Sequence, residues 1–174
     1  AIWFDRVVSL FFERHPEGLC VSIGSGLDWR SERIRLPVNA SWCDVELPDV
    51  ADLRCRVVAP CKQVKTITAD GIDLMEWISS VPWPAGRPAL VIAEGVFMYL
   101  TPDRASRILT DLVAASGARG DLLELAFDFA SPLMVRNSRA NRSVAKTSAQ
   151  FQWSVRRPAD LERSAPGLKL VEEA

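Results

Sequence analysis

Apolar positions along the chain fall into two patterns, a helical spacing and short continuous runs that are typical of buried strands. Residues 2–14 carry apolar side chains three and four positions apart, which is the spacing of an amphipathic helix. Short apolar runs further along the chain are typical of buried strands, because each is followed by a turn signal. We expect strands at residues 19–23, 44–47, 64–68, 89–93 and 122–127.

Helical patterns separate these strands, which predicts an α/β domain with a mainly parallel sheet. We expect a helix from Pro48 through Val50, Leu53 and Val57, one over residues 74–80 and one from Thr101 to about Gly117. The C-terminal part predicts a long loop or mobile helix at 131–150, a short helix at 158–164 and a last strand at 168–171. No repeat or second apolar core is visible, so residues 1–174 are interpreted as one domain.

Composition excludes several classes of protein. The 21 basic and 22 acidic side chains give a net charge of −1, so neither nucleic acid nor a membrane surface is an expected partner. No apolar run approaches the ~18 residues that span a bilayer, and the first residues lack a signal-peptide pattern. The four cysteines are scattered, which predicts reduced thiols, no metal site and a cytoplasmic protein.

His15 is the only histidine of the chain, which restricts the available chemistry. It precedes Pro16 at an expected helix end, where a surface capping role is favoured over that of a catalytic base. Hydrolases that depend on a histidine and metal sites with two histidines are therefore excluded from further consideration.

A glycine turn directly after the first strand is the strongest chemical signal. Gly24, Ser25 and Gly26 allow the backbone to approach a ligand closely, and ligands of open α/β sheets bind at the carboxyl ends of the strands. The bulky and acidic residues that follow, among them Asp28, favour a cationic sulfonium ligand that carries an amino acid. A dinucleotide, whose diphosphate needs a further glycine, stays as the alternative.

Acidic residues are expected at the ends of the next strands. Glu46 lies 20 residues after Gly26, where a carboxylate can accept hydrogen bonds from ribose hydroxyls. Its neighbours Asp44 and Asp49 are interpreted as solvated loop acids. Asp70 and Gly71 close the third strand and could contact an adenine or form a plain turn.

A second acid–glycine pair follows the fourth strand. Glu94 and Gly95 precede Phe97 and Tyr99, so a carboxylate and aromatic surface would lie beside the reacting group of a ligand. A purely hydrophobic packing role for this segment is the alternative.

In combination these motifs resemble the leucine carboxyl methyltransferase family, including polyketide methyltransferases of the tetracenomycin type. Three strings carry the resemblance: Gly24-Ser25-Gly26-Leu27-Asp28-Trp29-Arg30, Trp42-Cys43-Asp44-Val45-Glu46-Leu47-Pro48 and Ala93-Glu94-Gly95-Val96-Phe97-Met98-Tyr99-Leu100. The family usually has threonine where Trp29 stands and aspartate where Glu46 stands.

The resemblance implies a class I methyltransferase fold, a Rossmann-like sheet flanked by helices, that binds S-adenosyl-L-methionine. It places Gly24, Gly26, Asp28 and Arg30 around the methionine part, Glu46 at the ribose, Asp70 by the adenine and Glu94 near the methionine amino group. Their motif neighbours Ser25, Gly71 and Gly95 are counted with the expected cofactor site. Phe97 and Tyr99 are assigned to the acceptor because of their aromatic side chains. Members of the family also carry an N-terminal cap region and a final antiparallel strand, which this chain is expected to lack.

The expected reaction is O-methylation of a small-molecule acceptor, such as a polyketide-type metabolite. A carboxylate acceptor is favoured over a hydroxyl because it is already ionised at neutral pH and needs no base. Two alternatives stay open: a protein that binds the cofactor without methyl transfer, and a nucleotide-dependent oxidoreductase. The catalytic residues are unknown.

Two further expectations concern partners. No acidic residue lies between Asp128 and Asp160, while six basic residues do: Arg136, Arg139, Arg142, Lys146, Arg156 and Arg157. This stretch could face an anionic acceptor, although a solvated loop is the simpler interpretation. The apolar N-terminal helix could dock a second subunit, so a homodimer is possible.

Overall fold

Five short strands pair side by side, all in parallel, in the order β3-β2-β1-β4-β5. The computed structural model describes residues 2–58, 62–138 and 149–173. The strands are β1 Leu19–Ile23, β2 Ser41–Glu46, β3 Val64–Thr68, β4 Ala89–Ala93 and β5 Leu123–Phe127. A parallel α/β sheet with helices around it is therefore confirmed.

Seven α-helices are found among the described residues. They are α1 Ile2–Arg14, α2 Arg30–Arg33, α3 Pro48–Val57, α4 Leu74–Trp77, α5 Pro102–Arg119, α6 Pro132–Arg136 and α7 Leu161–Ser164. Short 3-10 turns occupy Ile78–Ser80, Phe97–Tyr99 and Pro158–Asp160. In the described ranges, no helix is both long and apolar enough to cross a membrane.

The sheet is buried on both faces, which explains why its central strands are continuous apolar runs. On one face, β1 and β4 pack against Leu109 and Leu112 of α5 and Trp77 of α4. On the other face, their alternate residues pack against α1, which buries Phe4, Val8, Phe11 and Phe12. The apolar face of α1 is thus used within the chain, so it is not the surface for a second subunit that the sequence suggested.

Several element boundaries differ from the sequence prediction for local reasons. Helix α5 passes through Gly117 and ends at Arg119. Gly120, which follows it, takes the left-handed conformation (φ 68°) that terminates many helices. Residues 168–171 were expected to form a strand, and that expectation is wrong: no ladder pairs them within the described residues, and Val171 is 93% exposed. The helical turns at 132–136 and 158–164 are found, whereas residues 139–148 lie outside the described residues.

Helix α3 is found as predicted, and it buries an arginine. Leu53 and Val57 are exposed, while Ala51 and Arg54 are buried. The buried face of this helix is therefore occupied in part by a charged side chain.

The carboxyl ends of the five strands lie along one edge of the sheet. At this edge the chain turns to one side after β1, towards β2, and to the other side after β4, towards β5. Such a reversal opens a crevice between the two central strands, and ligands of open α/β sheets bind there.

Candidate functional site

The glycine turn that leaves β1 adopts backbone angles that favour glycine. Gly24 has φ 63° and Gly26 has φ 57°, both in the left-handed region. A Cβ atom on Gly24 would also lie 2.8 Å from Cγ2 of Val96, which follows β4. The turn therefore passes close to the β4 loop, and only a residue without a side chain fits there.

Glu46 at the end of β2 is directed onto this turn. Its Oε1 accepts hydrogen bonds from the Gly26 amide (2.5 Å) and the Ser25 hydroxyl (2.8 Å). The residue is only 4% exposed. Burial raises the pKa of the Glu46 carboxyl above its ordinary value of 4.5, and the bonds from Ser25 and Gly26 oppose that shift. The structure thus brings together the predicted turn and the predicted ribose-binding acid.

A buried arginine at the start of α2 collects several carboxylates beside the turn. The Nε–H group of Arg30 donates a hydrogen bond to Asp5 Oδ1 (2.8 Å), and its Nη2 pairs with Asp28 Oδ2 (3.0 Å) and with Glu94. The more exposed Arg33 pairs with two of these acids, at 2.7 Å from Asp5 and 2.6 Å from Asp28. Asp5 and Glu94, which lie far from Arg30 in the sequence, therefore meet the neighbouring Asp28 and Arg30 at one place.

Asp5 is a member of this cluster that the sequence analysis missed. It lies on α1, and its hydrogen bond from Arg33, followed by that from Arg30, lowers the pKa of its carboxyl from 3.8 to about 2, against an opposing effect of burial. Nothing in the local sequence signals this contact, because Asp5 and Arg30 are 25 positions apart.

Replacing Asp5 by asparagine should reduce stability in a pH-dependent manner. Because the folded-state pKa is depressed, the ionised carboxylate stabilises the protein above pH 3.8 and this contribution is lost as the pH falls towards 2. After allowance for solvent screening we expect a loss of about 1 kcal/mol in unfolding free energy at pH 7. Urea unfolding at several pH values measures it.

The matched control for this prediction is Glu13→Gln, which alters an exposed acid on the same helix. The difference in unfolding free energy between wild type and Asp5→Asn should become smaller between pH 4 and pH 2, whereas the difference between wild type and the control should not change. A difference for Asp5→Asn that stays constant over this range would show that the carboxylate charge is not involved.

Asp44 corrects the expectation of a solvated acid. It is 1% exposed, and its Oδ1 accepts a hydrogen bond of 2.8 Å from Trp42 Nε1. Its Oδ2 lies 2.9 Å from Arg54 Nη2 and forms an ion pair there, with alignment outside that of a hydrogen bond. Burial raises the pKa of the Asp44 carboxyl, while Trp42 and Arg54 oppose the shift. Asp49, by contrast, is exposed as expected.

Gly95 and Asp128 join the tips of β4 and β5. Gly95 has φ 72°, and its amide donates to Asp128 Oδ1 at 2.8 Å. Burial raises the pKa of the Asp128 carboxyl; the Gly95 amide lowers it and the nearby Glu94 raises it further. A carboxyl with a raised pKa thus lies next to the loop that carries Glu94.

Asp70 and Gly71 lie after β3, at the side of the crevice. Asp70 accepts from Arg104 of α5 (2.5 Å) and from the Ile72 amide (3.1 Å). Gly71 has a packing reason of its own, since a Cβ atom there would lie 2.5 Å from Cγ2 of Ile23. The plain-turn interpretation therefore accounts for these contacts without a ligand.

Phe97 and Tyr99 occupy different environments. Phe97 is 2% exposed, and its ring stacks on Phe127 at 4.5 Å between centroids and packs against Trp153. It belongs to the core beneath the site. Tyr99 is partly exposed and packs on Phe151, and it lines an open depression with Gln150 and Gln152. Of the two aromatic residues, Tyr99 is therefore the more accessible from outside.

His15 lies away from this site, and the basic stretch is described only in part. His15 lies 4.0 Å from Glu124 near the beginning of β5, at the opposite edge of the sheet. Arg157 pairs with Asp160, and Arg139, Arg142 and Lys146 lie outside the described residues. Across residues 2–58, 62–138 and 149–173, no group of three or more potential ligands is arranged to hold a metal ion.

Comparison with known proteins identifies the family. The family model described as leucine carboxyl methyltransferase matches residues 1–113, well over half of the chain. The chain belongs to the leucine carboxyl methyltransferase family. The sequence resemblance is thereby confirmed, and with it the relation to proteins named as S-adenosyl-L-methionine-dependent methyltransferases.

Two curated relatives of this family member match nearly its whole length. The tetracenomycin polyketide synthesis O-methyltransferase TcmP of Streptomyces glaucescens is 30% identical over 97% of the chain and 60% of its own length. The S-adenosyl-L-methionine-dependent methyltransferase dpfgK of Gibberella zeae is 30% identical over 97% of the chain and 59% of its own. The chain thus spans about three fifths of these relatives.

Solved structures support the fold assignment. An O-methyltransferase family protein from Burkholderia thailandensis superposes with a TM-score of 0.63 at 14% identity, over 98% of this chain and 52% of its own. A protein from Nostoc punctiforme, described as a putative O-methyltransferase, gives a TM-score of 0.58 at 12% identity, over 94% and 50%. At such identities the likeness concerns the class I methyltransferase fold.

Proposed function

We propose that this family member is an S-adenosyl-L-methionine-dependent O-methyltransferase, with residues 1–174 as a single cofactor-binding domain. The observation that carries the proposal is the approach of Glu46 to the glycine turn, where Oε1 meets the Gly26 amide at 2.5 Å. A buried carboxylate at the tip of the second strand is suited to accept hydrogen bonds from the two hydroxyls of a ribose.

The residues at the crevice fit the charges of this cofactor. Around the turn, the guanidinium groups of Arg30 and Arg33 face three carboxylates, those of Asp5, Asp28 and Glu94. This excess of negative charge, to which Glu46 adds, suits a ligand with a net positive charge. The Arg30–Glu94 pair also offers one cation and one anion to the carboxylate and ammonium of an amino acid.

We assign the cofactor positions on this basis. Glu46 would bind the ribose. Arg30 and Glu94 would bind the charged ends of the methionine part, with Asp28 beside them. The backbone of Gly24, Ser25, Gly26 and Gly95 would border the cofactor closely, and Asp70 with Gly71 would border the adenine. Asp70 and Gly71 are the weakest members, because contacts within the protein already account for them.

The bound cofactor supplies an electrophilic methyl group on a sulfonium, so the protein chiefly has to align an acceptor oxygen and exclude water. The new carbon–oxygen bond forms as the carbon–sulfur bond breaks, and sulfur keeps the electron pair. We propose a carboxylate as the acceptor because it needs no proton removed. Asp128 is the group in reach of this edge that would serve a hydroxyl acceptor instead.

A small aromatic acceptor of the polyketide type is the substrate class we propose. TcmP, a relative named for polyketide synthesis, supports it. So does the partly exposed Tyr99 in the depression beside Gln152. We also propose a cytoplasmic location, because Cys20, Cys43 and Cys55 are free thiols and thiols stay reduced in the cytoplasm.

Two measurements test the proposal. Calorimetry with S-adenosylmethionine, its demethylated product and NAD should show binding of the first two only. Methyl transfer from labelled cofactor to aromatic acids and phenols should then give a product whose label is released by mild alkali, because methyl esters are cleaved there and methyl ethers are not. Alkali-stable label would indicate a hydroxyl acceptor, binding without transfer would indicate a cofactor-binding protein, and binding of NAD alone would refute the proposal.

A further inference from the structure

We propose that Arg54, paired with Asp44, is a positioning residue that fixes the glycine turn for the cofactor. Trp42 in turn donates a hydrogen bond to Asp44. The inference rests on the proposed function for its ligand, and it adds to the site a residue that contacts the backbone of the turn.

The contacts of Arg54 reach the turn at Gly26 and the chain just after it at Asp28. Its Nη1 donates to the carbonyl oxygens of Gly26 (2.9 Å) and Asp28 (2.8 Å), while its Nη2 lies 2.9 Å from Asp44. One planar guanidinium therefore links the second strand to the turn. A lysine, with a single compact ammonium, would not reproduce this fork.

The position of the turn decides where its amides point. The Gly26 amide donates to Glu46, and the Asp28 side chain pairs with Arg30. By holding the carbonyls of the same two residues, Arg54 sets the direction of both groups. Glycine has more conformational freedom than any other residue, and this turn contains two left-handed glycines. The contacts of Arg54 explain how the turn can nevertheless keep one conformation.

Energetic considerations support a role beyond stability. Arg54 is 4% exposed and Asp44 is more deeply buried still. Removing two charges from water costs about as much as their attraction returns, so a buried ion pair is a weak source of stability compared with apolar packing. A pair used to fix a functional conformation gives a reason for this arrangement.

The test uses Arg54→Met, which removes the donors but keeps an unbranched apolar side chain in place of the arginine stem. Its matched control is Arg56→Met on the exposed side of the same helix, where Nε donates to the backbone carbonyl of Asp52. Since Arg54→Met leaves Asp44 as a buried unpaired charge, the double variant Asp44→Asn with Arg54→Met provides a neutral form in case the single variant folds poorly.

Hydrogen exchange without ligand gives the first readout. In the Arg54 variants the amides of residues 24–28 should exchange at least tenfold faster, while those of β1 and β4 keep their protection. Faster exchange throughout the molecule would overturn the proposal, because Arg54 would then have a general structural role. Unchanged exchange at residues 24–28 would also overturn it, because Arg54 would then not hold the turn.

Binding of S-adenosylhomocysteine gives the second readout. The Kd should rise at least tenfold in the folded Arg54 variants, with kcat at saturating cofactor within about threefold of wild type, and the Arg56→Met control should match wild type. A folded variant with wild-type Kd overturns the proposal. Wild-type protein that fails to bind this probe refutes the proposed function instead, and hydrogen exchange then still decides whether Arg54 holds the turn.

Discussion

Replacing Glu46 by glutamine should weaken binding of S-adenosylmethionine by about 30-fold or more. Hydrogen bonds to a charged acceptor contribute about 1.5–3 kcal/mol each, and two such bonds from the ribose lose their ionic partner. Glutamine keeps an oxygen that can accept from the Gly26 amide, so the turn itself should persist. Calorimetric titration of the variant measures the loss, with Asp52→Asn on the exposed side of α3 as its control.

The pH dependence of binding provides an internal check on this result. Burial raises the pKa of Glu46 above 4.5, so the carboxylate becomes protonated at a higher pH than an exposed glutamate would. Wild-type affinity should therefore fall as the pH decreases through that raised pKa, whereas the affinity of Glu46→Gln should stay level. Equal affinities of the two proteins at neutral pH would remove Glu46 from the cofactor site.

The glycine turn should tolerate substitution unequally at its two glycines. Gly26→Ala carries the cost of a left-handed alanine, roughly 1–2 kcal/mol, since a Cβ there meets nothing within 4 Å. Gly24→Ala carries the same cost and also forces a Cβ to 2.8 Å from Val96. Overpacking of this kind adds about 1–3 kcal/mol, so Gly24→Ala should be the more destabilising change.

A double-mutant cycle isolates the contact with Val96. In a Val96→Ala background the clashing methyl group is absent, so Gly24→Ala should then cost about as much as Gly26→Ala does in the wild type. Denaturant unfolding of the variants supplies the values. If Gly24→Ala costs the same in both backgrounds, the turn does not press on the β4 loop as described.

Periodicity and turn residues were sufficient to predict the parallel sheet, because its strands are buried on both faces and therefore continuously apolar. They also predicted which acids follow which strands. The parallel arrangement brings strand tips together whatever the side chains do, so Glu46 and Gly26 could be placed near each other before any coordinates. The exposed end at 168–171 shows the limit, since apolar residues alone do not supply a neighbouring strand to pair with.

The parts that escaped prediction are polar groups whose partners lie far along the chain. An arginine on a helix is usually expected to face solvent. The burial of Arg54 is explained only by the carbonyls of Asp28 and Gly26, which lie 26 and 28 positions earlier. Asp44 lay beside Glu46 in the same short string, and strand alternation could have placed both on one face. Phe97 was assigned to the acceptor for its aromatic character, although its stacking on Phe127 needs the three-dimensional fold to be seen.

The placement of Asp5 makes helix α1 more than a cover for the sheet. Its apolar face lies on Leu90 and Ile92, and the carboxylate one turn from its beginning reaches Arg30 beside the crevice. Shortening the chain at its amino end would thus do two kinds of damage at once. It would expose the apolar face of the sheet that α1 covers, which reduces stability. It would also remove the hydrogen bond from Arg30 to Asp5 beside the crevice, so ligand affinity and folding would be lost together.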